Sequence, residues 1–175
     1  ITKSFSDVVR GQYMHFSMKA PVSNGAWLAS DGTIYMAYRR MIAPILHKDD
    51  IALMGNHNVE NYLAAISAVW GYAGADSILK VAREFTGVEH RIEPVRTLNG
   101  VKYYNDSKGT NPDAAIKAIQ AMVRPTILIG GGYDKDSTYD EWIEALDGKV
   151  RYLVLLGETA NKIAECARRH GFNEI

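Results

Sequence analysis

Two polar runs in this sequence have the residue types to hold an anion. The first is Asn105-Asp106-Ser107-Lys108-Gly109-Thr110-Asn111-Pro112-Asp113. Asn111 suits a helix N-cap and Pro112 the first helical position, so a helix start is marked there. Ahead of it stand a carboxylate, an ammonium, two hydroxyls and a glycine that lets backbone approach a ligand. A helix N-terminus offers unpaired N–H groups and a positive dipole end, worth about 0.3–1 kcal/mol toward an anion at an exposed site. With Lys108 added, the run can seat a phosphate or a carboxylate; the same residues also make an ordinary capped surface turn. The second run is Gly130-Gly131-Gly132-Tyr133-Asp134-Lys135-Asp136. Its glycines permit positive φ and close backbone approach, and Lys135 can pair with an acidic ligand. No further glycine follows at the dinucleotide-fingerprint spacing, and a flexible loop is the competing reading.

A third cluster is Gly55-Asn56-His57-Asn58-Val59-Glu60-Asn61. Asn58 and Asn61 are three apart at a helix start and share a face, where paired amides can read a purine edge. The plainer alternative is Asn58 as N-cap with Asn61 merely polar in the first turn. His57 has no companion at metal-ligand spacing. Arg91, in His90-Arg91-Ile92-Glu93, either reaches a phosphate or pairs with Glu93. Cys166 lies beside the apolar stripe Ala160, Ile163, Ala164 and Ala167 and reads as a packing residue. Neither a nucleophile elbow nor a Gly-x-x-x-x-Gly-Lys-Ser/Thr phosphate loop occurs.

The elements that must position these residues change character along the chain. Strands are expected at Tyr13–Met18, Ala26–Ala29, Thr33–Tyr38 and Ile51–Met54, with Asp31-Gly32 in a tight hairpin turn. From Val59 the period becomes helical, with Leu63, Ile66 and Trp70 inward beside Tyr62, Ala65 and Val69. A second helix is expected from Asp76, its cap, to Phe85, burying Ile78, Leu79, Ala82 and Phe85. Beyond Val88 the pattern alternates: strands Arg91–Arg96 and Val101–Asn105 paired across Leu98-Asn99-Gly100, helix Pro112–Met122, strand Thr126–Ile129, helix Tyr139–Leu146, strand Arg151–Leu156 and helix Thr159–Arg169. Strands separated by helices imply βαβ units and an open, mainly parallel α/β sheet, preceded by the tail of another domain.

Composition narrows the function classes. The 175 residues allow one full domain or two partial ones. Lys+Arg and Asp+Glu balance at 20 each, which argues against nucleic-acid binding by bulk charge and against an anionic membrane as partner. Hydrophobic residues at 47% and charged residues at 23% fit a folded domain. No apolar run approaches the roughly 20 residues of a membrane span. The opening Ile1-Thr2-Lys3-Ser4 is neither an initiator Met nor a signal peptide, and an excised piece of a longer protein is expected. One cysteine excludes an intrachain disulfide and fits a reducing cytoplasm.

Taken in order, Gly55-x-His57-Asn58-x-x-Asn61, His90-Arg91-x-Glu93, Asn105-Asp106-Ser107-Lys108-x-Thr110-Asn111-Pro112 and Gly130-Gly131-x-x-x-Lys135 resemble the Mur ligase family, most tightly over residues 53–142. The resemblance implies an α/β fold: the end of a central ATPase domain (about 1–88), then a partial Rossmann-like C-terminal domain (about 89–175) with a mainly parallel sheet. It implies that ATP activates the carboxylate of UDP-N-acetylmuramoyl-L-alanine as an acyl phosphate, which the amine of D-glutamate attacks. Position by position, Asn58 and Asn61 resemble the adenine contacts, Arg91 the arginine that reaches the nucleotide, and Asp106 the carboxylate on the ribose hydroxyls. Lys108 resembles the positive charge near phosphate or acyl phosphate, catalytic with Arg91 and also substrate-binding; Thr110 and Lys135 resemble the holders of the D-glutamate carboxylate. The family's phosphate loop, modified lysine and Mg2+ ligands are expected upstream of Ile1, so the chain alone is expected to be inactive and its parent cytoplasmic and monomeric. Two other readings remain: a related ligase adding another amino acid, such as a folylpolyglutamate-type enzyme, or a non-catalytic nucleotide-binding module.

Overall fold

The computed structural model describes residues 8–175, so Ile1–Ser4 lies outside the described residues. The chain divides into two compact units, Ile1–Thr86 and Gly87–Ile175.

In the first unit, β1 (His15–Ser17), β2 (Gly25–Leu28), β3 (Thr33–Tyr38) and β4 (Met41–His47) form one sheet in that order. The β1–β2 pair is parallel, and β2–β3 and β3–β4 are antiparallel. The Asp31-Gly32 hairpin is present, and across it Trp27 stacks on Tyr35 at 5.5 Å, the cross-strand contact that registers β2 on β3. The strand expected at Ile51–Met54 is absent, and β4 takes its place. Ala52 N–H donates to the Ala82 carbonyl at 2.9 Å, so this stretch meets its backbone demand against a helix end rather than a strand. Strand β4 tolerates Pro44 because it lies at the sheet edge, where a missing N–H costs nothing in the ladder.

Helix α1 (Asn56–Val69) buries Val59, Leu63 and Ile66, a narrower stripe than expected: Val69 is 39% exposed and Trp70 is half-buried at the C-cap. Ser67 is buried in this helix; its hydroxyl donates to the Leu63 carbonyl at 2.9 Å and accepts the Ala26 N–H at 3.0 Å, tying α1 to β2. Helix α2 (Ala75–Glu84) starts at Gly74 rather than at Asp76, which sits inside the first turn and favours the helix through its charge. Ile78 and Ala82 are buried, whereas Phe85 is 42% exposed because it lies past the helix end. These side chains close one core with Ile34, Met36 and Leu46.

The second unit opens with an antiparallel hairpin, β5 (Glu93–Leu98) and β6 (Val101–Asn105), turned by Asn99 at φ +50° and Gly100 at φ +79°. Strand β5 starts two positions later than expected, because His90 and Ile92 adopt φ of +66° and +45°. Next come α3 (Pro112–Ala121), β7 (Thr126–Gly131), α4 (Asp140–Glu144), β8 (Val150–Leu156) and α5 (Ala160–Arg169). Strands β7 and β8 pair in parallel, as the strand–helix–strand pattern requires. One face of this pair sends Leu153 into a core with Ile119, Trp142, Leu146, Ile163, Cys166 and Ala167. Among the described residues no helix is long and apolar enough to cross a membrane.

Candidate functional site

The loop from β6 to α3 is folded by its own polar groups. Asn105 Oδ1 accepts the Ser107 N–H at 3.0 Å, and the Asp106 carbonyl accepts the Gly109 N–H at 2.8 Å. Asn111 Oδ1 accepts the Ala114 N–H at 2.8 Å and Pro112 follows it, so the expected N-cap is in place. The loop leaves the Lys108 and Thr110 side chains exposed beside the start of α3.

Against this loop the chain around Arg91 is clasped. The His90 carbonyl accepts the Lys108 N–H at 2.9 Å, and Ile92 N–H donates to Asp106 Oδ1 at 2.9 Å. His90 N–H donates to Glu93 Oε2 at 2.8 Å, and the His90 ring meets Asn105 Nδ2 at 3.0 Å. A β-branched residue such as Ile92 in the left-handed region is strained, typically by ~1–3 kcal/mol, and persists only where its surroundings fix it. These hydrogen bonds fix it. Arg91 therefore stands exposed on a rigid turn next to Asp106 and Lys108, and Glu93 is engaged by His90 rather than by Arg91. Gly109 completes the clasp: a Cβ there would stand 2.6 Å from Asp106 Oδ2, so only glycine lets the carboxylate lie across it.

The glycine run forms the end of β7. Gly131 has φ +122°, and a Cβ on it would collide with the Leu156 carbonyl of β8. The Gly132 carbonyl accepts both the N–H (3.1 Å) and the hydroxyl (3.3 Å) of Thr159, which ties the run to the start of α5. The run thus forms a corner tied to β8 and to the start of α5. Lys162 donates to both oxygens of Asp134, at 2.9 and 3.2 Å, and this hydrogen-bonded ammonium holds the carboxyl below the usual carboxylate range. Asp134 in turn raises the Lys162 ammonium. Lys135, the next residue, is exposed.

In the first unit Asn58 is not the N-cap; Gly55, at φ +92°, is. Asn58 Nδ2 donates to the Met54 carbonyl at 2.7 Å and its Oδ1 accepts from Asn61 Nδ2 at 3.3 Å. The two amides share a face as expected, but Asn58 is half-buried and spends its donor on the backbone, so Asn61 is the exposed partner.

Of the residues singled out from sequence, Arg91, Asp106 and Lys108 come together in one clasp, and Thr110 stands on the same loop. Lys135 lies on a separate loop of the same unit, and the Asn58–Asn61 pair belongs to the first unit. His90 and Ile92 were not assigned roles from sequence, and Gly109, expected to admit a ligand, instead makes room for the Asp106 carboxylate. Isoleucine gives no sign of a left-handed backbone, and the His90 contact depends on pairing with Asn105 fifteen residues away.

An α/β fold with a parallel β7–β8 pair and a polar loop leading into α3 agrees with the family found by comparison. The profile described as "Mur ligase, glutamate ligase domain" matches residues 90–175. The chain is 46% identical over 175 residues to the "UDP-N-acetylmuramoylalanine--D-glutamate ligase" of Thermoanaerobacter sp. (strain X514), covering 99% of this chain and 38% of that protein. The protein of the same name from Clostridioides difficile (strain 630) is 46% identical over 176 residues, covering 100% of this chain and 39% of its own. The solved structure of UDP-N-acetylmuramate-alanine ligase MurC from Thermotoga maritima superposes with a TM-score of 0.60 at 17% identity, covering 89% of this chain and 37% of that one, a likeness of fold. The chain belongs to the Mur ligase family. It spans about 38% of the length of the curated relatives it matches.

Proposed function

We propose that this chain supplies part of the nucleotide-binding and amino-acid-binding machinery of an ATP-dependent ligase that joins D-glutamate to UDP-N-acetylmuramoyl-L-alanine in peptidoglycan synthesis. The observation that carries the reading is the clasp: a backbone-anchored Asp106 carboxylate beside two exposed cations, Arg91 and Lys108, on adjoining turns. That combination suits a ribose hydroxyl next to phosphates, because the carboxylate accepts hydrogen bonds while the cations neutralise the anion. Asn61, held by Asn58, offers an amide to the adenine edge.

ATP supplies the phosphoryl group that activates the carboxylate as an acyl phosphate, and D-glutamate supplies the amine that forms the new C–N bond. Phosphoryl transfer depends mainly on positioning and fixed charge. Arg91, locked by its strained turn, and Lys108, beside the start of α3, are the groups of this chain that would provide both. D-glutamate carries two carboxylates, and Thr110 with Lys135 are assigned to hold them. Mg2+ is assigned to other ligands than these residues. The name shared by the relatives at 46% identity supports D-glutamate as the incoming amino acid.

Amide chemical shifts of the isotope-labelled chain, titrated separately with ADP and with amino acids, test this. ADP is expected to move the amides of Ile92, Lys108 and Asn61, and D-glutamate those of Thr110 and Lys135. Perturbation by ADP elsewhere, or none up to about 10 mM (a free energy near −2.7 kcal/mol), overturns the nucleotide assignment. Stronger perturbation by L-alanine, L-lysine or L-glutamate than by D-glutamate overturns the substrate.

A further inference from the structure

A thiol, an imidazole and a carboxylate meet where α4 begins and α5 ends, apart from every residue given a role in ligation. Cys166 and His170 are four residues apart and project from one side of the last turn of α5, while Asp140 opens α4. Asp140 Oδ1 accepts from His170 Nε2 at 2.9 Å and lies 3.6 Å from Cys166 Sγ. The three donor atoms all fall within 4.8 Å of one another. On the other side of the imidazole, Glu144 Oε1 is 3.8 Å from His170 Nδ1, and Arg169 Nη2 stands 3.8 Å from Asp140 Oδ1.

The geometry points to a three-ligand site at Asp140, Cys166 and His170 for a borderline-soft divalent cation of the zinc type. The donor set is the first ground: sulfur and imidazole nitrogen favour zinc over magnesium or calcium, which prefer all-oxygen shells. Spacing is the second. Around a tetrahedral zinc with bonds of about 2.0–2.3 Å, neighbouring donors stand about 3.3–3.8 Å apart. The sulfur–oxygen separation of 3.6 Å already fits, and the imidazole–carboxylate pair has only to open by a few tenths of an ångström from its 2.9 Å hydrogen bond. Rigidity is the third: Cys166 is 2% exposed within the core of this unit, so its sulfur is fixed by packing. The Asp140 and His170 side chains are 49% and 26% exposed, which leaves a solvent side for entry of the ion and for a water as fourth ligand. Glu144 faces the far imidazole nitrogen, the place of the carboxylate that commonly orients a ligating histidine.

Binding exchanges the Cys166 S–H bond for a thiolate–metal bond and releases that proton to solvent, with no change of oxidation state. The Asp140–Arg169 contact yields readily, because the Arg169 side chain is 70% exposed. The bound ion would pin the start of α4 to the end of α5 and so stabilise the second unit.

Cobalt(II) titration of the tag-free chain tests the site. A thiolate-to-cobalt charge-transfer band with tetrahedral visible bands is expected, saturating at one equivalent and bleached by zinc, with zinc raising the melting temperature. C166A removes the band, and D140N and H170Q each weaken cobalt affinity at least tenfold. Because Cys166 is buried, D140N and H170Q on the exposed rim carry the test if C166A unfolds. Absence of the band in the folded wild-type chain, or a band of unchanged affinity in both D140N and H170Q, overturns the proposal.

Discussion

Asp106 accepts the Ile92 N–H with one carboxylate oxygen while the other lies across Gly109, so its orientation is set by backbone on both sides. Gly109→Ala leaves the charge in place but puts a methyl group 2.6 Å from Oδ2, and the short aspartate side chain must swing off Ile92. The strained turn then loses an anchor. The expected outcome is a loss of about 1 kcal/mol in stability and about tenfold in ADP affinity, the size of one charge-assisted hydrogen bond, read by denaturant melts and calorimetry. An intact affinity would show that Asp106 orientation is irrelevant to the nucleotide. A second carboxylate gives a pH test. Asp50 accepts Arg83 Nε and Nη2 at 3.0 and 2.8 Å and the His47 N–H at 3.0 Å, and these bonds, the Arg83 ones foremost, lower its pKa. A depressed carboxylate stabilises the fold above its unfolded pKa of about 3.9 and loses that contribution as pH falls through the folded value. Asp50→Asn should therefore melt below the wild type at pH 6, with the gap closing as the pH falls below the unfolded value and through the lower folded one.

Helix and strand boundaries were legible where local chemistry decides them. Asn111-Pro112 marked the start of α3, Asn99-Gly100 marked the hairpin, and the Leu63–Ile66 spacing marked α1. They were not legible where a distant partner decides. Met41–His47 carries a proline and two exposed apolar residues, Met41 and Ile42, and becomes a strand only because β3 lies alongside to pair with it. Ile51–Met54 looks like a strand but finds its hydrogen-bond partner on α2. Cys166 read as core packing, which its burial bears out, yet its neighbour Asp140 lies 26 positions earlier and left no local sign. Lys149 is another such long-range fixture. Its ammonium donates to the Gln120 and Met122 carbonyls at 3.2 and 2.7 Å, capping the C-terminal end of α3 and favouring the helix dipole. Lys149→Met keeps the stem and removes the charge, and should cost about 0.5–2 kcal/mol. Thermal melts followed by circular dichroism would show a drop of several degrees, and an unchanged midpoint would mean those carbonyls are equally well served by water.

At the scale of the whole chain, ligand contacts and chemistry separate. The proposed binding residues are distributed over both units, and Arg91 and Lys108 are the only cations assigned to phosphate. Nothing in the 175 residues matches a Gly-x-x-x-x-Gly-Lys-Ser/Thr loop, whose successive backbone N–H groups would surround a transferring phosphoryl group. Two side-chain charges can attract a nucleotide, but equal attraction to ground and transition states gives binding without acceleration. The chain by itself is therefore expected to bind ADP weakly and to release no ADP from ATP above the uncatalysed background, whether or not D-glutamate and UDP-N-acetylmuramoyl-L-alanine are present. A coupled ADP assay with each substrate omitted in turn measures this. Turnover that requires both acceptor substrates would mean that Arg91, Lys108 and the start of α3 suffice to organise phosphoryl transfer, and that binding and chemistry do not separate in this way.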